Sequence, residues 1–269
     1  MSMNSNMKMP LKVCFIGAGN VATHMAAAMQ KAGFEIVGVH TRTPQSAEEF
    51  SLRYHCPIAD SLVDMPDADL YVFSIKDDAL SEVVTAFGHL HREGLCVHTA
   101  GSIPMSVFHG NVKHYGVLYP LQTFSKQREL NFSAVPLFVE ADDTEDLQRL
   151  SSIAGLLSST VIPLSSEQRR LLHLAAVFAC NFSNHCFAIA SEILNQAALP
   201  GQLLNPLIRE TCAKLEQLPA VVGQTGPAVR YDQNVMANQL ELLGDDELRK
   251  DIYRLMSQSI HEYALKSKH

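Results

Sequence analysis

The stretch Lys12-Val13-Cys14-Phe15-Ile16-Gly17-Ala18-Gly19-Asn20-Val21-Ala22 reads as a short apolar strand, a glycine-rich turn and the start of a helix. Gly17 allows the tight turn, Gly19 lets the backbone approach a pyrophosphate, and Ala22 is small enough for the helix to pack on its strand. The first N–H groups of the helix and its dipole attract phosphate. The stretch therefore predicts a dinucleotide-binding turn; the alternative is an ordinary strand–turn–helix built from small residues.

The end of the second predicted strand, at residues 34–40, indicates which dinucleotide is bound. Strand ends that bind NAD usually carry Asp or Glu, which accepts hydrogen bonds from the ribose 2′-hydroxyl. This strand has no carboxylate at its end; instead, Arg42 can offer a planar cation to a 2′-phosphate, and Thr41 and Thr43 add hydroxyl donors. The sequence therefore predicts NADP as the cofactor. The alternative for Arg42 is a solvated arginine in a surface turn.

Two further predicted strands, at residues 70–75 and 95–98, end in polar side chains. Ligands of parallel sheets lie beyond the carboxyl ends of the strands, so we expect Ser74, Lys76 and His98 to lie near the nicotinamide. The alternatives are a plain surface lysine beside two aspartates and a hydrogen-bonded core histidine. The full set of residues predicted to bind the cofactor is Gly17, Gly19, Asn20, Val21, Thr41, Arg42, Thr43, Ser74, Lys76 and His98.

The order of predicted elements gives the fold class. Strands and helices alternate over residues 9–164, and only helices are predicted over residues 165–269. Alternation of this kind is typical of an α/β fold, here a Rossmann-type, doubly wound and mostly parallel sheet followed by an all-α C-terminal domain. We expect an NADP-binding domain before the 164/165 boundary, and a helical domain for substrate and dimerisation after it.

The long helix predicted at residues 165–198 carries polar side chains in an apolar segment. A membrane span would not hold so many polar groups without partners, so we interpret it as a helix inside a domain or at a subunit interface. At about 100° per residue, His173 and Asn184 fall close together on the helix wheel, with Asn181 to one side. Because buried polar groups are paired, this stripe either meets polar partners or lines a ligand cleft.

If the stripe lines a cleft, it predicts the catalytic residues. His173 would transfer the proton, since imidazole titrates near neutral pH. Asn181 and Asn184 would hold a substrate carbonyl, imine or carboxylate, and Thr225 with the Gly226 amide would form the opposite wall.

Composition excludes several functions. The net charge is −7 and no run of Lys or Arg occurs, which disfavours binding to nucleic acid. The six cysteines have no metal-binding spacing, and most of them lie in apolar segments, which indicates reduced core residues of a cytoplasmic protein. The polar N-terminus does not read as a signal peptide. No motif for a metal, a nucleoside triphosphate or a nucleophilic serine is present.

Five motifs together resemble a group of Rossmann-type NADP oxidoreductases with a helical C-terminal domain. They are Gly17-Ala18-Gly19-Asn20-Val21-Ala22, Arg42-Thr43, His98-Thr99-Ala100-Gly101-Ser102, Tyr119-Pro120-Leu121-Gln122-Thr123-Phe124 and Thr225-Gly226-Pro227-Ala228-Val229-Arg230. More distantly, the layout is similar to pyrroline-5-carboxylate reductase, 6-phosphogluconate dehydrogenase and the β-hydroxyacid dehydrogenases. The resemblance implies NADP(H) on the N-terminal domain, substrate between the domains and a homodimer formed through the helices.

The sequence therefore supports two main hypotheses. The first is an NADP(H)-dependent oxidoreductase that transfers hydride to a small imine, ketone or keto acid. The second is a non-catalytic NADP-binding or partner-binding dimer, in which the polar stripe only pairs across the helices. A methyltransferase using S-adenosylmethionine is a weaker third hypothesis, because the second strand end has no acidic partner for a ribose. The hydroxyacid dehydrogenases use a lysine that the long helix lacks, so the resemblance does not extend to their substrate.

Overall fold

Seven strands form a single sheet in the computed structural model, which describes residues 10–267. Their bounds are β1 Lys12–Ile16, β2 Glu35–His40, β3 Leu70–Phe73, β4 Leu95–His98, β5 Tyr115–Pro120, β6 Leu137–Ala141 and β7 Val161–Pro163. Along the sheet their order is β2-β1-β3-β4-β5-β6-β7.

The sheet is mostly parallel. Strands β1 to β5 pair in parallel, β6 runs antiparallel to β5, and β7 is parallel to β6. Every residue of β3, β4 and β5 is buried, as expected for strands covered by helices on both faces. The predicted Rossmann-type α/β class with a helical C-terminal part is confirmed.

The helices of the first part of the chain cover both faces of the sheet. Side chains alternate along β1, so that Val13 and Phe15 join one apolar cluster while Cys14 and Ile16 join the other. The helix bounds are α1 Asn20–Lys31, α2 Pro44–Tyr54, α3 Asp77–Gly88, α4 Thr144–Leu157 and α5 Ser166–Ala176. Helices α1 and α4 pack on the first cluster, and α3 packs on the second.

The long helix contains an irregular segment. After α5, residues Val177–Phe182 form a π-helix, and α6 continues over Ser183–Gln196. By length and composition alone, the whole helix Ser166–Gln196 could cross a membrane. Its first turns are held to the sheet by polar contacts described below. An isolated parallel bridge joins Val39 of β2 to Ile58.

The chain divides into two compact units, the first ending at Asn184 and the second beginning at His185. The strands end at Pro163, close to the predicted domain boundary, whereas the compact units divide about twenty residues later, within the long helix. The expected division of labour between a cofactor domain and a substrate domain stays a prediction.

The second unit consists of helices and has almost no core of its own. Among its described residues, only Ala228 and Ser257 are buried, while large apolar side chains such as Leu242 (81% exposed) face outward. After α6, its helices are α7 Asn205–Lys214, α8 Ala220–Gly223, α9 Pro227–Arg230, α10 Gln233–Glu241 and α11 Glu247–Lys266.

The six cysteines are unpaired and fall into two sets. Three are buried in or beside the sheet, and burial raises the pKa of Cys14 to about 12, of Cys56 to about 11 and of Cys96 to about 12. The other three, on the helices, are exposed: Cys180, Cys186 and Cys212.

Candidate active site

A cleft of about 620 Å³ opens at the carboxyl ends of the parallel strands, the edge at which ligands of such sheets bind. It is lined by residues that follow β1, β2, β3 and β4, by the end of β5, and by His173 of α5. Of the predicted cofactor residues, those that line it are Gly17, Gly19, Asn20, Val21, Thr41, Arg42, Thr43, Ser74 and Lys76.

The glycine turn has the shape that a pyrophosphate requires. Gly17 has φ +104°, and a Cβ there would lie 2.2 Å from the carbonyl oxygen of Ser74, so only glycine fits. A Cβ on Gly19 would instead meet nothing within 4 Å, which leaves open space in front of the start of α1. Gly19 is the N-cap of α1 and provides no side-chain acceptor, so the first N–H groups of the helix are available to phosphate.

The end of β2 supplies a polar corner of the cleft. Thr41, Arg42 and Thr43 line it together with Ser46 in the first turn of α2. The residues that line this corner include no acidic side chain, and Glu49, farther along α2, is not among them; the carboxylate in the cleft lining is Asp77, at the start of α3. The corner is therefore suited to an anionic group.

His98 differs from the other predicted cofactor residues, because it does not line the cleft. Its side chain is wholly buried and stacks on Phe108, and its Nδ1 accepts a hydrogen bond of 3.2 Å from the Ala100 amide. Burial, with a smaller effect of the Arg169 charge, lowers the pKa of His98 to about 3. The imidazole is thus a neutral core group, as the alternative interpretation of the sequence has it.

Tyr119 and His173 form a polar pair in the cleft wall. The phenolic oxygen of Tyr119, at the end of β5, lies 3.0 Å from Nδ1 of His173, and the two rings meet edge to face. Burial raises the pKa of Tyr119, so its hydroxyl stays protonated at neutral pH. A hydroxyl and an imidazole within hydrogen-bond distance can pass a proton to a ligand beside them.

A buried ion pair fixes the helix that carries His173. Arg169, one turn earlier on α5, is 1% exposed and donates hydrogen bonds to the carboxylate of Glu140 on β6 and to the carbonyl oxygen of Ile103. The hydroxyl and amide of Ser166 donate to the same carboxylate. The first turn of α5 is therefore tied to both β6 and the loop after β4.

Asn181 and Asn184, the other predicted catalytic residues, are exposed and do not line this cleft. Asn181 lies within the π-helix and Asn184 just after it, and each residue of a π-helix turns the helix by less than the 100° that the sequence prediction assumed. The helix-wheel positions predicted for Asn181 and Asn184 relative to His173 therefore do not apply. Thr225 and Gly226 belong to the second unit, where Thr225 lines a separate pocket. Catalytic roles for these residues stay predictions.

The segment after β5 also lines the cleft and was not predicted to do so. It contributes Gln122, Phe124 and Lys126, next to Tyr119. The motif Tyr119-Pro120-Leu121-Gln122-Thr123-Phe124 was a sequence signal for it, because polar residues and a proline directly follow a buried strand. Tyr119 itself reads as one more apolar residue of that strand.

One cluster outside the cleft has the composition of a metal site. In the described part of the chain, ligand atoms of His114, Asp143 and Asp146 lie within 4.8 Å of one another. His114 already pairs with Asp146 at 2.9 Å, and Asp143 accepts the N-cap hydrogen bond of α4. These hydrogen bonds explain why the three side chains lie together, and we assign them a structural role.

The fold and the cleft define a class of Rossmann-type nucleotide-dependent oxidoreductases, and comparison with known proteins agrees. Residues 12–100 match the family described as NADP oxidoreductase coenzyme F420-dependent, and residues 135–260 match a domain of unknown function, DUF2520. A crystal structure of a "putative NADP oxidoreductase" from Bacteroides fragilis is 48% identical, with a TM-score of 0.91, over 94% of this chain and 99% of that one. The chain therefore belongs to the family in which an NADP oxidoreductase domain precedes DUF2520.

Two more distant structures share the fold. An imine reductase from Myxococcus stipitatus in complex with NADP⁺ is 16% identical with a TM-score of 0.66, over 96% of this chain and 95% of that one. A 1-pyrroline-5-carboxylate reductase from Streptococcus pyogenes is 13% identical with a TM-score of 0.61, over 95% and 100%. No curated protein gives a significant match.

Proposed function

We propose that the protein is an NADPH-dependent reductase that transfers hydride to a small imine, ketone or keto acid. The observation that carries the proposal is the Tyr119–His173 pair, which shares one cleft with the glycine turn. Binding a nucleotide requires only the nucleotide site. Reduction also requires a proton donor, and the hydroxyl and imidazole beside the site can supply the proton. The imine and pyrroline carboxylate reductases of the same fold support a C=N or C=O substrate.

The chain has residues that fit the dinucleotide along the whole cleft. The open space at Gly19 and the start of α1 would hold the pyrophosphate, and Arg42 with Thr41 and Thr43 would hold the 2′-phosphate. Ser74 and Lys76 would flank the nicotinamide, where Ser74 accepts a hydrogen bond from Thr99 at 3.3 Å. When bound, the cofactor supplies the hydride.

The residues of the chain supply the proton. The neutral hydroxyl of Tyr119 donates its proton to the nitrogen or oxygen that gains negative charge, and His173, whose Nδ1 lies 3.0 Å from the phenolic oxygen, returns a proton to that oxygen. Reduction of the double bond thus adds one hydride to carbon and one proton to the heteroatom. The buried ion pair of Arg169 and Glu140 keeps His173 in position by fixing its helix.

A second proposal concerns association. The helices of the second unit expose large apolar side chains such as Leu207, Leu248 and Leu255 and bury almost nothing among their described residues. Exposed apolar surface on this scale marks an interaction site. We propose that a second copy of the chain covers it, giving a homodimer through the C-terminal helices. If the protein does not turn over any substrate, this dimer and NADP binding together would be its function.

The proposed function is tested by titrating the purified protein with NADPH and NADH at one ionic strength, and then by following NADPH oxidation with a cyclic imine, a ketone and a 2-keto acid. We expect tighter binding of NADPH and turnover of at least one of these substrates. Light scattering gives the mass of the particle, which we expect to be twice that of the chain. Binding without turnover would favour the non-catalytic alternative, and binding of neither cofactor would refute both.

A further inference from the structure

We propose that Lys126 and Arg42 form a two-cation site for the 2′-phosphate of NADPH. The inference rests on the proposed function and adds a residue from the connection between β5 and β6, which is not part of the strand-end motif. Both side chains line the cleft, together with Thr43 and Ser46.

The segment that carries Lys126 is held across the start of α1. The side-chain amide of Asn20 donates a hydrogen bond of 2.9 Å to the carbonyl oxygen of Phe124, and Nε2 of His24 lies 3.0 Å from the carbonyl oxygen of Ser125. The rings of His24 and Phe124 are also in contact, with centroids 5.3 Å apart. Two residues of the helix thus fix the backbone immediately before Lys126.

The ammonium group of Lys126 reaches the side of the cleft formed by α2. Its Nζ lies 3.5 Å from a carboxylate oxygen of Glu49, on the turn of α2 that follows Ser46. Arg42 and Thr43 directly precede α2, so this is the same corner that the end of β2 provides. Lys126, which follows β5, and Arg42, which follows β2, therefore line the same corner of the cleft.

The charges favour a phosphate dianion at this corner. The contact between Lys126 and Glu49 is longer than a good hydrogen bond, and Glu49 is more than half exposed, so it is a weak surface pair. A phosphate can replace such a partner, because its oxygens carry close to two negative charges near neutral pH. Arg42 would bind these oxygens through its planar guanidinium and Lys126 as a point charge. NADH lacks the 2′-phosphate and would gain nothing from either cation.

The test compares two substitutions in one segment. Lys126→Met removes the ammonium group and keeps the aliphatic stem, and Arg128→Met makes the same change of charge two residues later, at an exposed position outside the cleft lining. The dissociation constants of NADPH, NADH, 2′,5′-ADP and 5′-AMP are measured for both variants and the unsubstituted chain. Glu49→Gln, which removes the competing carboxylate, completes the set.

We expect Lys126→Met to weaken NADPH and 2′,5′-ADP about tenfold, the effect of one charge-assisted contact, and to leave NADH and 5′-AMP within twofold. Arg128→Met should leave all four within twofold, and Glu49→Gln should leave NADPH unchanged or tighten it. If the unsubstituted chain prefers NADPH but Lys126→Met and Arg128→Met behave alike, the role of Lys126 is refuted and the proposed function stands. If the unsubstituted chain binds neither cofactor, both proposals are refuted.

Discussion

The backbone of Gly101 packs directly against the imidazole of His173, so that a Cβ on Gly101 would lie 2.5 Å from Nδ1 of that ring. Gly101 has no unusual backbone dihedral, so the close approach itself is what requires glycine there. The loop after β4 and the helix α5 meet at this point, and the position of His173 opposite Tyr119 depends on it.

Gly101→Ala should therefore displace the imidazole and lower kcat for NADPH oxidation at least tenfold, while the dissociation constant of NADPH changes little. Gly155→Ala is the matched control, because a Cβ there, in the last turn of α4, meets nothing within 4 Å. We expect this control to keep full activity and to gain about 0.5–1 kcal/mol of stability. Equal activity of the two variants would contradict the role of the contact.

Tyr119→Phe keeps the ring that packs in the cleft wall and removes only the hydroxyl. We expect kcat to fall about 10²- to 10⁴-fold, as is usual when a general acid is removed, with NADPH affinity retained. Steady-state kinetics together with a cofactor titration separate these effects. A loss of NADPH affinity without a loss of kcat would mean that the hydroxyl binds the cofactor and does not supply the proton.

Arg42→Ala should cost about 1.5–3 kcal/mol of NADPH binding, the contribution of a hydrogen bond to a charged group. That is roughly ten- to a hundredfold in Kd, and NADH binding should barely change. Titration of the variant with both cofactors measures this difference. Equal losses for NADPH and NADH would show that Arg42 does not contact the 2′-phosphate.

Arg169→Met should destabilise the chain strongly, by about 3–5 kcal/mol, because it leaves the carboxylate of Glu140, which is only 16% exposed, without its cation. The double variant with Glu140→Gln should recover part of that loss, since the unpaired charge is then gone. Urea unfolding of the single and double variants gives the free energies. A single variant no less stable than the double one would contradict the pairing.

The buried His98 predicts a loss of stability in mild acid. Its pKa is about 3 in the folded chain, against an ordinary value of 6.5, so below pH 6.5 the unfolded chain binds the extra proton. Stability is therefore lost as the pH falls from 6.5 towards 3, by about 2 kcal/mol for this group between pH 7 and pH 5. His98→Asn keeps an acceptor for the Ala100 amide and cannot be protonated. The difference in unfolding free energy between the two pH values should shrink by this amount, whatever the absolute stability of the variant.

Local pattern was enough to predict the glycine turn and the strand ends that line the cleft. Each of these is a short apolar strand followed by polar residues, and parallel pairing then brings the ends together. The relation of His173 to Asn181 and Asn184 could not be predicted in this way. The helix-wheel prediction assumed that every residue turns the helix by the same angle, and nothing in the sequence marks Val177–Phe182 as a π-helix.

Tyr119 and Lys126 show a second limit. Tyr119 lies in a buried strand, where an aromatic residue reads as core, and its partner is 54 residues away in the sequence. Lys126 follows β5, and the next strand, β6, runs antiparallel to it. The rule that ligands lie beyond the carboxyl ends of parallel strands therefore does not predict where this connection lies. Both assignments need tertiary contacts.

The reactivity of the two sets of cysteines can show whether another protein covers the helices. A small thiol-directed electrophile reacts with thiolates that it can reach, so Cys180, Cys186 and Cys212 should react in the folded single chain, and all six after unfolding. The three buried thiols react only when the sheet opens, so their reaction measures unfolding. The three exposed thiols react unless another protein covers the helices. A native chain in which fewer than three thiols react would thus reveal a protein contact on those helices without any label added to the sequence.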